Sequence, residues 1–222
     1  MIALDVDTAR RILDNLALLL LATVLWSVLI RRLDGSIRLL ALQGLLLTAA
    51  AAVVALTTGA GHAYAAVGIT LAIKVVAVPG ILLFALREVR VKREIEVALS
   101  RRFAFPLAIG LVFVAYHVVG PLQALDGLLS RAALPAALAM LLIGLLSMLI
   151  RKKALSQIIG IVAMENGLYL MAVVATNGLP LAVELGVAAD LVTGVLVMSM
   201  YTRQIHRTFN TINIDRLRAL RG

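Results

Sequence analysis

The sequence predicts an all-α, polytopic membrane helix bundle of about seven transmembrane helices, with the N-terminus outside and the C-terminus in the cytoplasm. Of the 222 residues, 62% are hydrophobic, and the mean hydropathy is +1.03. A soluble domain of this size has too little interior to bury so many apolar side chains. The apolar runs are continuous rather than alternating, which favours helices over a β-barrel.

Each apolar run is long enough to cross about 30 Å of hydrocarbon at roughly 1.5 Å per residue. In chain order, the predicted spans are residues 12–30, 37–57, 64–86, 103–122, 132–150, 158–176 and 180–201.

The connections between the spans predict the orientation. Basic residues follow the first, third, fifth and seventh spans, beginning with Arg31, Arg87, Arg151 and Arg203. The alternate connections carry almost no basic residue apart from Arg131. Because basic loops stay in the cytoplasm, an odd number of spans places the N-terminus outside.

Two basic segments extend beyond the predicted spans. Residues 87–102 alternate basic and acidic residues and predict a cytoplasmic helical extension with pairs such as Arg90 with Glu94. A solvated face at the membrane surface is the simpler interpretation of that segment. The tail after Tyr201 mixes apolar with basic residues, which is typical of a segment that lies on lipid headgroups or docks on a partner.

Charge and composition also exclude several functions. The formal net charge is +9, but the basic residues form short clusters between apolar runs, so we expect a lipid bilayer and no nucleic acid as partner. The absence of cysteine excludes thiolate-bound iron–sulfur, c-type haem and nickel–iron centres, and we expect no cofactor. His62, His117 and His206 lie too far apart for metal-ligand spacing, so no metal is expected.

Four ionisable residues interrupt the predicted spans: Lys74, Glu165, Glu184 and Asp190. Such a residue near the centre of a membrane helix costs roughly 2.5 to 3.5 kcal/mol. Glu165 and Asp190 lie near the middle of the sixth and seventh spans, and Glu184 lies nearer the outer surface. Lys74 lies near the middle of the third span, shortly before Pro79, where a helix kink is expected.

These residues support two interpretations. Desolvation drives a buried carboxylate toward its neutral form, and a nearby cation drives it toward its charged form. Carboxyl groups with a lysine among them can therefore form a proton relay, with Asn166 in a supporting role. Alternatively, the charges form structural ion pairs, in which Lys74 neutralises one acid.

The last third of the chain resembles the small K-type subunit of respiratory complex I. The stretch from Gly160 to Met164, Glu165 and Asn166 is similar to the Gly-x-Glu-x-Met-x-Asn motif of that subunit. Residues 188–190, followed by Gly194, look like its Ala-Ala-Glu motif, and residues 213–215 with the terminal Arg-Gly resemble its basic tail.

The whole chain, with its Met-Glu-Asn-Gly and Leu-Pro-x-x-Val-Glu-Leu-Gly motifs, resembles component E of hydrogenase-4. The match places Val162 where complex I has a glutamate, with Glu165 almost one turn later on roughly the same face. Asp190 takes the place of the second glutamate. Lys74 and Glu184 have no counterpart in the K-type subunit, so their roles depend on the physical argument alone.

The resemblance implies a subunit that is not catalytic alone and that contributes Glu165, Asp190, Glu184 and Lys74 to proton translocation. It implies antiporter-like membrane subunits and peripheral subunits of the nickel–iron hydrogenase type as partners, in a bacterial or archaeal cytoplasmic membrane. Residues 1–153 would form a five-helix N-terminal region, and residues 154–222 a K-subunit-like region. A purely structural scaffold subunit remains an alternative. A free-standing transporter is disfavoured, because no inverted repeat or pair of broken helices is evident.

Overall fold

The computed structural model describes residues 5–59, 61–89, 100–121, 130–151 and 154–175, together with Gly194 and Leu196. These residues form helices and short connections. The elements are α1 (Val6–Leu29), α2 (Leu33–Thr58), α3 (Gly61–Thr70), a π-helical segment (Leu71–Ala77, the π segment), α4 (Val78–Val89), α5 (Arg101–Val119), α6 (Ala133–Ile150) and α7 (Ala154–Ala175).

Within that part of the chain, six helical units are long and apolar enough to cross a membrane. The third unit is continuous through α3, the π segment and α4. Six of the seven predicted spans are thus confirmed as helices. The seventh lies outside the described residues apart from Gly194 and Leu196, as do the segment 90–99 and the basic tail.

Aromatic and aliphatic side chains cover the outside of the bundle. Trp26, Phe103, Phe113 and Leu149 are each more than half exposed. Exposing so much apolar surface to water is thermodynamically unfavourable, whereas contact with lipid tails is not. The protein is therefore a multi-pass membrane protein.

Glycines bring α6 and α7 into backbone contact. A Cβ atom added at Gly144 would lie 2.5 Å from the backbone nitrogen of Met164, and one added at Gly167 would lie 2.7 Å from the carbonyl oxygen of Ala137. Small residues let membrane helices approach this closely, and close approach is the main source of van der Waals attraction between them. Helices α6 and α7 therefore pack tightly, and this contact fixes the position of α7 along α6.

The π segment interrupts the third span just before Pro79. The backbone N–H of Val78 donates to the carbonyl of Ile73, which is the i→i+5 pattern of a π-helix. Proline has no N–H to donate and its ring crowds the preceding turn, so a widened turn ahead of it relieves both problems. The structure therefore places a π segment around Lys74, where the sequence predicts a kink at Pro79.

Helix α2 passes directly against the π segment. A Cβ atom at Gly44 would lie 2.7 Å from the carbonyl oxygen of Lys74 and 3.0 Å from its Cβ atom. Only glycine fits such a contact without displacing backbone. Gly44 thus brings the π segment close to α2.

Candidate functional site

Lys74 extends from the π segment to the middle of α7. Its Nζ atom forms a short ion pair with Oε2 of Glu165 and donates a hydrogen bond to Oδ1 of Asn166 at 3.0 Å. The Lys74 side chain is 6% exposed and that of Glu165 is 14% exposed. The two opposite charges therefore share an interior site with a neutral amide beside them.

Asn166 connects this ion pair to α2. Its Nδ2 atom donates to Oε1 of Gln43 at 3.2 Å, and both residues are almost completely buried. Because the amide accepts from Lys74 on one side and donates to Gln43 on the other, one network joins α2, the π segment and α7.

Tyr169 forms one wall of the site. The centroid of its ring lies 4.9 Å from Nζ of Lys74, within the range of a cation–π interaction. Its hydroxyl group shares a hydrogen bond of 2.6 Å with Oγ1 of Thr70. Tyr169 thus supports the ammonium group with its face and holds α3 with its hydroxyl. We call Lys74, Glu165, Asn166, Gln43 and Tyr169 the Lys74 cluster.

The Lys74 cluster lies near the middle of the membrane. Gln43 and Glu165 are each roughly 15 Å along the axis from the starts of α2 and α7, at about 1.5 Å per residue. Half of a hydrocarbon core of about 30 Å is the same distance. The ion pair therefore lies at about half the depth of the apolar part of these helices.

Part of the hydrogen-bonding capacity of the Lys74 cluster is unused within the described residues. Oε1 of Glu165 and Nε2 of Gln43 are buried and have no partner there. A buried polar atom without a partner costs about 1–3 kcal/mol, so each of these atoms is a place for a further group or a water molecule.

The structure brings together three of the residues that the sequence singled out: Lys74, Glu165 and Asn166. Glu184 and Asp190 lie outside the described residues. Val162, the position of the complex I glutamate in the resemblance, is buried in an apolar core between α2, α4 and α7.

Sequence reasoning missed Gln43, Thr70 and Tyr169. A signal existed for Gln43, since a buried amide in the middle of an apolar stretch is expensive without partners. Thr70 and Tyr169 gave no such signal, because both occur in membrane helices for many reasons. No group of three or more histidine, aspartate or glutamate side chains suited to a metal ion occurs among the residues described above.

The fold and the Lys74 cluster define the class: a multi-pass helical membrane protein with a buried lysine–carboxylate pair at mid-depth. The family model for NADH-ubiquinone/plastoquinone oxidoreductase chain 4L matches residues 132–222, a stretch that begins with α6.

The uncharacterized protein Rv0085 of Mycobacterium tuberculosis is 35% identical over 206 residues, covering 89% of this chain and 92% of that protein. Hydrogenase-4 component E of Escherichia coli and that of Shigella flexneri are each 29% identical over 215 residues, which is 97% of this chain and 100% of theirs. The chain belongs to the same family as these relatives. It is a homologue of hydrogenase-4 component E, which confirms the resemblance seen in its sequence. No solved structure matches the chain.

Proposed function

We propose that the chain is a membrane subunit of a hydrogenase-4-like respiratory complex and that it contributes to proton translocation driven by electron transfer in partner subunits. Homology to hydrogenase-4 component E and to chain 4L supports a membrane subunit of a respiratory complex. Under this proposal, redox chemistry takes place in peripheral subunits of the nickel–iron hydrogenase type. Antiporter-like subunits are the expected membrane neighbours, in a bacterial or archaeal cytoplasmic membrane.

The observation that carries the proposal is the buried pair of Lys74 and Glu165. A proton that moves from the ammonium group to the carboxylate converts two charges into a neutral amine and a neutral carboxylic acid. The net charge of the site does not change, and burial offsets part of the lost Coulomb attraction by favouring the neutral forms. The two protonation states of the pair can therefore lie close in free energy, as a relay requires.

A complete relay needs groups that deliver and remove protons. We assign Asp190 and Glu184 to this role, because both are acids in the next predicted span. In this proposal Asn166 keeps the ammonium group oriented toward Glu165. We also retain the division into an N-terminal region, residues 1–153, and a K-subunit-like region, residues 154–222, as part of the proposal.

The test is neutralisation of the carboxyl groups in the assembled complex. Glu165→Gln together with Asp190→Asn should abolish proton pumping measured in inverted membrane vesicles while electron input continues. Asp34→Asn is the matched control, since Asp34 pairs with the exposed Arg32 at the membrane edge. Unaltered pumping in the Glu165→Gln, Asp190→Asn variant would overturn the relay.

The scaffold alternative predicts a different defect in the same variants. If the charges serve only to fasten subunits, neutral substitutions should reduce the amount of assembled complex on blue-native gels. The relay predicts normal amounts of a complex that pumps fewer protons per electron.

The proposal includes an orientation with the N-terminus outside. Arginines lie between α1 and α2, whereas the connection between α2 and α3 around Gly59 carries no basic residue. A periplasmic alkaline phosphatase reporter fused after Gly59 should be active, and one fused after Arg32 should be inactive. The reverse pattern would invert the direction of every proton step proposed for this chain.

A further inference from the structure

A small cavity lies between α1, α2, α6 and α7, on the side of the Lys74 cluster where Arg151 is found, and apolar residues of α2 and α7 form much of its wall. Its polar lining consists of Ser27, Ser36, Gln43, Ser147 and Arg151. Arg151 is 6% exposed and donates to the carbonyl of Ser27, one of the last carbonyls of α1, where a cation is favoured by the helix dipole. The cavity therefore extends from a charged helix end toward mid-depth.

Three of the lining residues have buried polar atoms without partners among the described residues. These atoms are Oγ of Ser36, Nε2 of Gln43 and Oγ of Ser147. Desolvating each without a hydrogen bond would be costly, and three around one space point to a common partner. A buried water molecule typically makes about three hydrogen bonds to such groups.

The size of the cavity agrees with this partner. The volume open to the centre of a water molecule is about 10 Å³. A single water needs roughly 10–15 Å³ by this measure, so the cavity has room for about one.

Gln43 belongs to both the cavity and the Lys74 cluster. Its side chain lines the cavity and its Nε2 atom has no partner among the described residues, while its Oε1 atom accepts the 3.2 Å hydrogen bond from Asn166. A carboxamide is a poor proton carrier, because protonating it is costly. Gln43 therefore separates the cavity from Lys74 as long as it stays bound to Asn166.

We propose that this cavity holds a bound water that supplies protons to the Lys74 cluster from the Arg151 side, and that Gln43 is the barrier between them. The inference rests on the proposed function of Lys74 and Glu165. After Lys74 has given its proton to Glu165, the cavity water passes one proton to the neutral amine in the same step in which it takes one from solvent water on the Arg151 side, so that no hydroxide is left. Arg151 itself stays protonated. Glu165 then gives its proton to Asp190 or Glu184, which restores the charged pair. Gln43 swings away from Asn166 for the transfer to the amine, and each cycle moves a single proton.

The water is tested first, on the full-length chain in lipid nanodiscs. The natural chain contains no cysteine, so Ser36→Cys and Ser147→Cys each introduce one thiol. Its S–H stretching band lies in an infrared region without other protein absorption and shifts when deuterium replaces hydrogen. Both thiols should exchange on the order of a hundredfold faster in D2O than the Ala139→Cys thiol, which sits in the dry core of α6 and waits for local opening.

The two cysteine positions are independent, so one poorly folded variant, detected by far-UV circular dichroism, leaves the other to decide. Exchange as slow as that of the Ala139→Cys thiol at every folded variant would overturn the bound water. Fast exchange at either position supports it.

The route is tested next by filling the cavity. Ser36→Val and Ser147→Val each replace a serine that lines the cavity with a larger apolar residue. Each should lower proton pumping by the assembled complex at least about fivefold, because the water is excluded. Thr48→Val is the matched control, since the Thr48 hydroxyl bonds within its own helix to Gly44 and does not line the cavity.

Normal pumping in both valine variants would overturn the route. Failure of the proposed function looks different, because pumping would then survive loss of Glu165 itself, whatever the thiols show.

Discussion

The coupling between Lys74 and Glu165 can be measured as a free energy. The perturbation is a double-mutant cycle of Lys74→Met, Glu165→Gln and the two together. Each single change leaves one ionisable group buried without its counter-charge, whereas the double change leaves none. If the pair interacts as the structure shows, the effects of the two changes are far from additive.

The magnitude follows from burial. At an effective dielectric constant of about 20, two unit charges 4 Å apart attract by about 4 kcal/mol, and removing one partner of a buried pair costs about 3–5 kcal/mol. The side chains are only 6% and 14% exposed, so screening by water is small. Each single variant should be destabilised by about 3 kcal/mol. The double variant, which leaves no unpaired charge, should be destabilised by about 3 kcal/mol or less, which gives a coupling free energy of at least about 3 kcal/mol.

The assay is unfolding of the full chain by sodium dodecyl sulfate in mixed micelles, followed by circular dichroism. Arg32→Met and Asp34→Asn provide a matched cycle on an ion pair at the surface, whose N–O distance is 3.0 Å and whose side chains are 64% and 27% exposed. That pair should show a coupling of about 1 kcal/mol or less. A coupling between Lys74 and Glu165 no larger than that of the control would refute the buried ion pair.

Two further substitutions probe the surroundings of Lys74 by the same unfolding assay. Gly44→Ala should destabilise the chain by about 1–3 kcal/mol, because the new Cβ atom would overlap the carbonyl oxygen of Lys74. Gly68→Ala is the control, since a Cβ atom there meets open space and should not destabilise the chain. Equal effects of the two substitutions would show that α2 does not touch the π segment. Tyr169→Phe should lower the free energy of unfolding by about 1 kcal/mol, since the ring stays beside Lys74 while the hydrogen bond to Thr70 is lost. Adding Thr70→Val should lower the free energy of unfolding little further, because both substitutions remove the same hydrogen bond. Full additivity of the two effects would argue against that bond.

The π segment explains how a lysine reaches this site. A π turn offsets the side chains that follow it relative to a regular α-helix, and such turns are frequent at functional sites. Here Pro79 favours the irregularity from one side and Gly44 allows α2 to approach from the other. Together they place the Lys74 side chain within reach of α7.

Much about this protein is determined by the sequence alone. The length and continuity of the apolar stretches determine where helices cross the bilayer, because hydrocarbon offers no partner for an unpaired backbone group. The same reasoning identifies Lys74 and Glu165 as exceptional, since a charge inside such a stretch must have a compensating partner. The motifs around Glu165 identify the family.

Only the tertiary structure decides which groups meet. The hydropathy pattern indicates how deep in the membrane each residue of a helix lies. It does not indicate how the helix is rotated about its axis or which neighbour it packs against. The contact of Gly44 with the π segment and the backbone contacts of Gly144 and Gly167 set those rotations. These helix contacts bring Lys74 within hydrogen-bonding distance of Glu165 and Asn166. The pairing depends on distances of a few ångströms between helices that are far apart in the chain.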